Sequence, residues 1–150
     1  ISNQNLHFLF IGDGSEKQKL IKYSETLDSK NFTFLESVTK SEIPLYIDIS
    51  DYSLVNLKKL DEFKNVIPSK IFENIAMYKP ILLGVEGESK KLINEYEVGV
   101  CFKPENKESF LKAIDDIQKL DRKTFKVKCN RMLADFNRDN IAEDIIKFIF

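Results

Sequence analysis

The sequence predicts an α/β protein, a Rossmann-like doubly wound parallel sheet of about five strands with helices on both faces. Short apolar runs alternate with amphipathic stretches of ten or so residues, which is the order of βαβ units. Several of these runs are apolar throughout, as expected of parallel strands that are buried on both faces. The predicted strands span residues 6–11, 31–35, 50–57, 81–85 and 98–102.

Length and composition limit both the fold and the function. A chain of 150 residues predicts a single domain over residues 1–150. The net charge of −1 offers no basic face for nucleic acid. No apolar run approaches the ~20 residues that a membrane-spanning helix needs. Cys101 and Cys129 are too few and too far apart for a disulfide framework or a metal site, and we expect two buried or idle thiols in a reducing cytoplasm.

The first strand, Leu6–Ile11, runs into Gly12-Asp13-Gly14, and an amphipathic helix follows over Ser15–Leu27. A strand, Gly-x-Gly and a helix form the beginning of a dinucleotide-binding fingerprint. The third glycine is absent, because position 17 is Lys. The pattern therefore argues against a dinucleotide-dependent dehydrogenase.

The remaining elements follow in order. Asn31–Leu35 alternates like a strand, and a loop then leads to a short helix, Ser41–Tyr46, with Ser41 as its candidate N-cap. A charged loop, Lys58–Lys64, follows the third strand. Later helices are predicted from residue 89 to about residue 96, and over residues 107–120, 124–136 and 140–150.

The segment Asn65–Pro80, N-V-I-P-S-K-I-F-E-N-I-A-M-Y-K-P, is the centre of the prediction. A turn at Pro68 delivers Ser69 to the start of a helix, where its hydroxyl can bind a free amide of the first turn. Lys79-Pro80 ends that helix before the fourth strand. The side chains expected to be buried are Ile71, Phe72, Ile75 and Ala76.

The amino terminus of this helix is a candidate phosphate site, because its free N–H groups carry partial positive charge. Lys70 adds a mobile cation in the same turn. Glu73 lies on the face of Ser69 at the i, i+4 spacing. It is one residue too far along the chain to close a capping box with Ser69, so a purely structural role explains it poorly.

The carboxyl ends of the predicted strands point to a small-molecule site. In parallel α/β sheets, ligands bind outside those ends. Four glycine-containing or polar segments fall there, at residues 12–14, 36–38, 65–70 and 86–88. Their convergence predicts that the chain binds a small ligand.

The segment Glu73–Pro80, E-N-I-A-M-Y-K-P, resembles the E-A-M-A-x-G-x-P helix of retaining glycosyltransferases of family 4 with the GT-B fold. The P-S-K-x-F-E variant at residues 68–73 is similar to the branch that builds bacterial surface polysaccharides. Leu9–Gly14 resembles the V-G-D-G strand of the donor-binding domain, and Asn31–Val38 resembles its N-V-x-F-L-G-x-V segment. Glu86-Gly87-Glu88 is similar to the D-G-E that follows the next strand. The resemblance covers nearly all of the chain.

The resemblance implies a donor site for a nucleotide-diphospho-sugar of the UDP or GDP type, with no metal and no other cofactor. Glu73 matches the second Glu of the E-x7-E motif, which binds the nucleotide ribose. Val38 would pack near the base, and Ser69 and Lys70 would lie against the diphosphate. No catalytic set is complete in this chain. The donor-binding residues implied are Gly12, Gly14, Val38, Asn65, Ser69, Lys70, Glu73 and Glu88.

Two departures from the family pattern matter. The first Glu of E-x7-E falls at Asn65, whose amide can bind a sugar hydroxyl but brings no charge. One further strand, a basic loop for the diphosphate and the acceptor-binding domain would all precede Ile1, so the resemblance implies a fragment that is inactive alone. Without that strand, the family's sheet order 3-2-1-4-5-6 would close to 2-1-3-4-5 or leave a gap for another chain. We expect closure, because an open edge favours aggregation.

The parent enzyme implied by the resemblance moves a hexose, an amino sugar or a deoxy sugar onto a lipid-linked or glycan acceptor bound by its other domain. It would act in the cytoplasm, or peripherally at the cytoplasmic face of the inner membrane. Nucleic acid is not expected as a partner. The sequence does not name the sugar, the nucleotide base, the acceptor or the oligomeric state.

Two other functions share this architecture. A non-catalytic flavodoxin-like or receiver-like signalling module would need an Asp at the end of the third strand, which ends near Leu57 without one. Half of a nucleotide-sugar 2-epimerase would need catalytic carboxylates and a His at strand ends. The single His of the chain, His7, lies at the first strand, and we expect it to be structural.

Overall fold

The computed structural model describes residues 6–27 and 30–149. The chain divides into two compact units, Ile1–Pro44 and Leu45–Phe150, and each has its own parallel sheet.

The first unit is built on a βαβ motif. Its elements are β1 (Phe8–Ile11), α1 (Lys17–Glu25) and β2 (Phe32–Leu35). The two strands pair in parallel, and α1 forms the crossover that a parallel pair requires. Two cross-strand ring pairs stack, with centroids 5.6 and 4.9 Å apart, and such pairs stabilise strand pairing. These pairs are Phe8 with Phe32 and Phe10 with Phe34.

A short helix, α2 (Ile43–Ile49), begins in the first unit and ends in the second. The turn before it is closed by Glu42, whose carboxylate accepts hydrogen bonds from Thr39 N at 2.8 Å and from Thr39 Oγ1 at 2.6 Å. The predicted N-cap at Ser41 is therefore wrong. Its hydroxyl bonds to Thr39 Oγ1 at 2.9 Å, because Thr39 and Glu42 already close the turn with a charge-assisted pair.

The second unit has three parallel strands in the order β3-β4-β5. Val55 in β3 lies opposite Leu83 in β4, and Leu83 lies opposite Cys101 in β5. The strands are β3 (Ser53–Asn56), β4 (Ile81–Gly84) and β5 (Gly99–Cys101). The helices are a 3-10 helix (Asp61–Asn65), α3 (Lys70–Ala76), α4 (Glu88–Tyr96), α5 (Lys107–Ile117), α6 (Arg122–Asp135) and α7 (Arg138–Ile149).

The core of the second unit lies on both faces of β4, whose four residues are all buried. Because side chains alternate along a strand, Ile81 and Leu83 share one face, and this face packs in a cluster with residues of α3, α4 and α6. Leu82 lies on the other face, where α5 packs against β4 and β5. Members of the cluster from these helices include Ile71, Ile75, Leu92, Ile93, Tyr96, Phe125, Cys129 and Met132.

The predicted α/β class, with parallel strands flanked by helices, is confirmed. The predicted closure into one sheet is wrong, because hydrogen bonds among the described residues form one sheet of two strands and another of three. Within the described ranges, no helix is long and apolar enough to cross a membrane.

The burial predicted for the central helix holds in part. Ile71 and Ile75 of α3 are fully buried. Phe72 is half-buried, and the prediction is wrong for Ala76, which is exposed. Ala76 lies one turn after Phe72, at the margin of the buried stripe, and its methyl group is too short to reach the core.

Candidate functional site

A cleft of about 260 Å³ opens at the carboxyl ends of β3, β4 and β5. Its walls come from the loop after β3 with the 3-10 helix, from the residues after β4, and from the loop after β5. Ligands of parallel α/β sheets bind at this edge, so the cleft occupies the expected place. The lining residues are Lys58, Lys59, Leu60, Asp61, Phe63, Lys64, Val85, Glu86 and Pro104.

The backbone of the cleft is fastened by contacts between these three loops. Gly87 has a φ of 78°, and a Cβ there would collide with the carbonyl of Lys64. The fully buried Ser89 donates a hydrogen bond from Oγ to Val66 O at 2.5 Å. Lys59 N donates to Glu105 Oε1 at 3.1 Å. The cleft therefore has a defined shape, because each wall is bound to another.

The cleft carries three lysines and two carboxylates. Asp61 pairs with Lys64 at 2.6 Å, and this hydrogen bond holds the pKa of Asp61 below its usual value and raises the pKa of Lys64. The ammonium groups of Lys58 and Lys59 make no ion pair or hydrogen bond within residues 6–27 and 30–149. The ammonium groups of Lys58 and Lys59 and the carboxylate of Glu86 are left for a ligand. Because two of these three charges are positive, the cleft favours an anionic group.

Sequence reasoning missed the three cleft lysines. The segment Lys58–Lys64 was predicted as a charged loop, and lysines in such a loop usually face solvent. A usable signal was its place directly after a predicted strand, where loops of parallel sheets contact ligands. Of the predicted small-molecule segments, residues 86–88 contribute Glu86 to the lining.

The amino terminus of α3 differs from its prediction. Ser69 has helical backbone angles, φ −56° and ψ −30°, and its side chain makes no capping hydrogen bond. The predicted N-cap role of Ser69 is therefore wrong, because a capping hydroxyl needs an extended backbone to reach the first amides. The carbonyl of Ser69 accepts from Phe72 N and Glu73 N, and that of Pro68 accepts from Ile71 N. The turn thus begins at Pro68.

Lys70 and Glu73 both lie on the exposed side of α3. The Glu73 carboxylate has no hydrogen-bond or ion-pair partner in the part of the chain that the structure describes. α3 itself is fixed by the buried Asn74, which donates from Nδ2 to Lys70 O at 2.7 Å and accepts from the hydroxyl of Ser53. Asn74 therefore ties the buried face of α3 to β3, and sequence reasoning gave Asn74 no role.

Asn65 and Glu88 are the other predicted donor-binding residues of the second unit. Asn65 is the last residue of the 3-10 helix and is exposed. Glu88 begins α4 and pairs with Lys91 at 2.6 Å, so its carboxylate is held along its own helix. Neither residue lines the cleft.

The predicted residues of the first unit lie at the carboxyl ends of β1 and β2. Gly12 follows β1 with a φ of 126°, which only glycine adopts readily, and its N–H donates to Leu35 O at 3.3 Å. Gly14 N donates to Asp13 Oδ1 at 2.8 Å. Val38 is half-buried in the loop after β2. The two strand-end loops are therefore adjacent, as the parallel pairing requires.

The surroundings of His7 and the two cysteines indicate structural roles for these residues. His7 Nε2 lies 2.8 Å from Thr33 Oγ1 on the neighbouring strand. Burial raises the pKa of both thiols, Cys101 and Cys129, to about 11, which keeps them protonated and unreactive at neutral pH. No group of three or more His, Cys, Asp or Glu side chains in the described ranges is arranged to hold a metal ion.

The chain matches the family described as glycosyl transferases group 1 over residues 1–148. A search of curated proteins found no match. Among solved structures, the fold is similar to the crystal structure of a glycosyltransferase from Rickettsia africae ESF-5, with a TM-score of 0.69 and 19% sequence identity. The match covers 96% of this chain and 39% of that one, so the chain spans about two fifths of that enzyme's length.

Proposed function

Because the chain belongs to the glycosyl transferases group 1 family, we propose that it is the donor-binding domain of a retaining glycosyltransferase. In this proposal it holds a nucleotide-diphospho-sugar while another part of the enzyme binds the acceptor. The parent enzyme would transfer a hexose, an amino sugar or a deoxy sugar in the biosynthesis of bacterial surface polysaccharide, at the cytoplasmic side of the membrane.

The observation that carries the proposal is the cleft at the carboxyl ends of β3, β4 and β5, with its excess of positive charge. A nucleotide-diphospho-sugar is anionic at its diphosphate, and the bond that breaks joins this group to the sugar. Lys58 and Lys59 are the two lining lysines whose ammonium groups make no ion pair or hydrogen bond within residues 6–27 and 30–149. We assign them to the diphosphate or to the charge that develops on it.

The chemistry follows from that placement. When the bond to the sugar breaks, negative charge grows on the departing diphosphate, and cations already in position stabilise the transition state more than the ground state. Lysine ammonium groups would supply this charge, and by resemblance the reaction needs no metal. Glu86, on the same cleft wall, would accept a hydrogen bond from a sugar hydroxyl.

Glu73 is assigned to the nucleotide ribose. Its carboxylate is exposed and without a partner in the described ranges, and it stands on a helix whose orientation is fixed by buried Ile71, Ile75 and Asn74. A ribose presents two neighbouring hydroxyls, and one carboxylate can accept a hydrogen bond from each of them. Asn65, with its neutral amide, would then contact the sugar without adding charge.

The test is ligand-observed NMR of the chain against UDP, GDP and their sugars, comparing wild type with Glu73→Ala. The matched control is Glu108→Ala, since Glu108 is likewise an exposed glutamate in the first turn of a helix, here α5. We expect binding of one nucleotide class, loss of roughly tenfold in affinity in Glu73→Ala, and no change in the control.

Two results would count against the proposal. If the wild-type chain binds no member of the panel, donor binding by this chain is refuted. If a nucleotide binds equally well to wild type and to Glu73→Ala, the assignment of Glu73 to the ribose is wrong, although donor binding itself stands.

A further inference from the structure

Lys17 is a lysine whose surroundings differ from those of the other charged residues of α1. Its side chain is only 10% exposed, whereas that of Lys19 on the same helix is 81% exposed. α1 contains no buried residue, and Lys17 is its one charged residue that is not exposed. A long cationic side chain is rarely covered unless its ammonium group has partners.

The ammonium group of Lys17 has two partners at the end of β2. It donates to Leu35 O at 3.1 Å and pairs with Glu36 Oε1 at 2.8 Å. The same Leu35 carbonyl accepts from Gly12 N at 3.3 Å. Gly12 follows β1 directly, so the last residue of β2 is bound both to the end of β1 and to the start of α1.

Local preferences do not explain a lysine at this position. Lys17 is the first residue of α1, where the partial positive charge of the helix terminus disfavours a cation. The first turn contains no acidic residue, and the acidic N-cap, Glu16, pairs with Lys19 at 3.1 Å instead. The partners across the strands are the evident reason for the lysine, because a sequence breaks a local rule where a tertiary role requires it.

We infer that Lys17 is a positioning residue for nucleotide recognition: through Leu35 O it fixes the two loops that follow β1 and β2. This inference rests on the proposed function. Both loops stand at the carboxyl ends of parallel strands, where ligands of such sheets bind. They contain Gly12, Gly14 and Val38, which the resemblance assigns to the donor, so their mutual position would set how a nucleotide fits against this unit. Glu36 is 86% exposed, and solvent screens its ion pair, so the bond to the Leu35 carbonyl is the effective contact.

The test compares the nucleotide preference of wild type with that of Lys17→Met, measured by NMR titration with UDP, GDP and inorganic pyrophosphate at a temperature where both are folded. We expect the affinity of Lys17→Met for the preferred nucleotide to fall about tenfold, the size of one hydrogen bond to a charged group, and its preference over the other nucleotide to shrink. Lys19→Met is the control and should change either quantity less than about twofold, because its ammonium group pairs only within its own helix turn, with Glu16. Lys17→Gln replaces the methionine variant if that variant does not fold.

The preference ratio separates positioning from simple stabilisation. A loss of folded protein lowers the affinity for all three ligands by the same factor, and that result would overturn the inference. Unchanged affinities in a folded Lys17→Met would also overturn it, while the proposed function would stand. Failure of the wild-type chain to bind any nucleotide would overturn both.

Discussion

Replacing Gly87 by Ala tests whether the cleft wall has the shape described. Gly87 has φ 78° and ψ −136°, a conformation that is essentially restricted to glycine, and a residue with a Cβ pays roughly 1–3 kcal/mol to adopt it. The new methyl group would also collide with the backbone carbonyl of Lys64, which cannot turn aside like a flexible side chain. We therefore expect the free energy of unfolding to fall by at least about 2 kcal/mol.

The assay is chemical denaturation of wild type and Gly87→Ala, followed by thermal unfolding. A loss of about 2 kcal/mol lowers Tm by roughly 4 °C or more for a chain of this size. Gly14→Ala is the matched control, because Gly14 lacks a positive φ and a Cβ there meets nothing within 4 Å. That variant should stay within about 0.5 kcal/mol of wild type. Equal stability of Gly87→Ala and wild type would refute the close approach of Gly87 to Lys64.

Two further predictions concern the cleft charge and a buried tyrosine. Combining Lys58→Met with Lys59→Met should weaken binding of the preferred nucleotide at low ionic strength, and should weaken it less at high salt. The control, Lys107→Met, should not weaken binding. Isothermal titration at two salt concentrations measures both affinities, and an equal loss in the control would contradict the prediction. Tyr96 donates from its hydroxyl to Asp135 Oδ2 at 2.8 Å, and this bond raises the pKa of Tyr96. The unfolded chain therefore loses the tyrosine proton first, near pH 10, and stability should fall as pH rises from there through the folded pKa. Tyr96→Phe should lower the free energy of unfolding by about 1 kcal/mol at neutral pH. It should also make the alkaline decline smaller, leaving the part that comes from the raised pKa values of Cys101 and Cys129, as denaturation at several pH values can show.

The order and type of most helices and strands could be predicted from the sequence, because hydrophobic periodicity and glycine or proline positions are local signals. β4 is the clearest case, since its run of apolar residues is buried on both faces. The 3-10 helix over Asp61–Asn65 was not predicted, because its charged residues have no apolar period and it is held by contacts with other loops.

The caps show where local reasoning fails. Ser69 has the right residue type for an N-cap, but Pro68 starts the turn one residue earlier and leaves Ser69 with helical angles. At the other end, Tyr78 adopts a φ of 54° where the resembling family has glycine. Its hydroxyl bonds to Asn130 Oδ1 at 3.0 Å, a partner 52 positions away that no local pattern reveals.

The cleft lies at the kind of place that the sequence predicts for a ligand, the carboxyl ends of the strands, but most of its lining residues were not predicted. Glu86 was among the residues considered, whereas Lys58 and Lys59 looked like ordinary surface lysines. Which of several charged loop residues faces a cleft depends on the loop's path, and this path is set by distant contacts such as the one between Lys59 N and Glu105.

In the cleft, the side chains that hold the walls together differ from the side chains that face a ligand. The side chains that hold its walls are those of Ser89 and Glu105, neither of which lines the opening, and the other attachments are made by backbone atoms. The side chains that face a ligand belong mainly to the loop after β3, and they take no part in those attachments except through the main chain. The side chains of residues 58–63 can therefore be exchanged while the attachments that hold the cleft walls stay the same. Under the proposed function, such an exchange would let one scaffold take a new donor sugar without refolding.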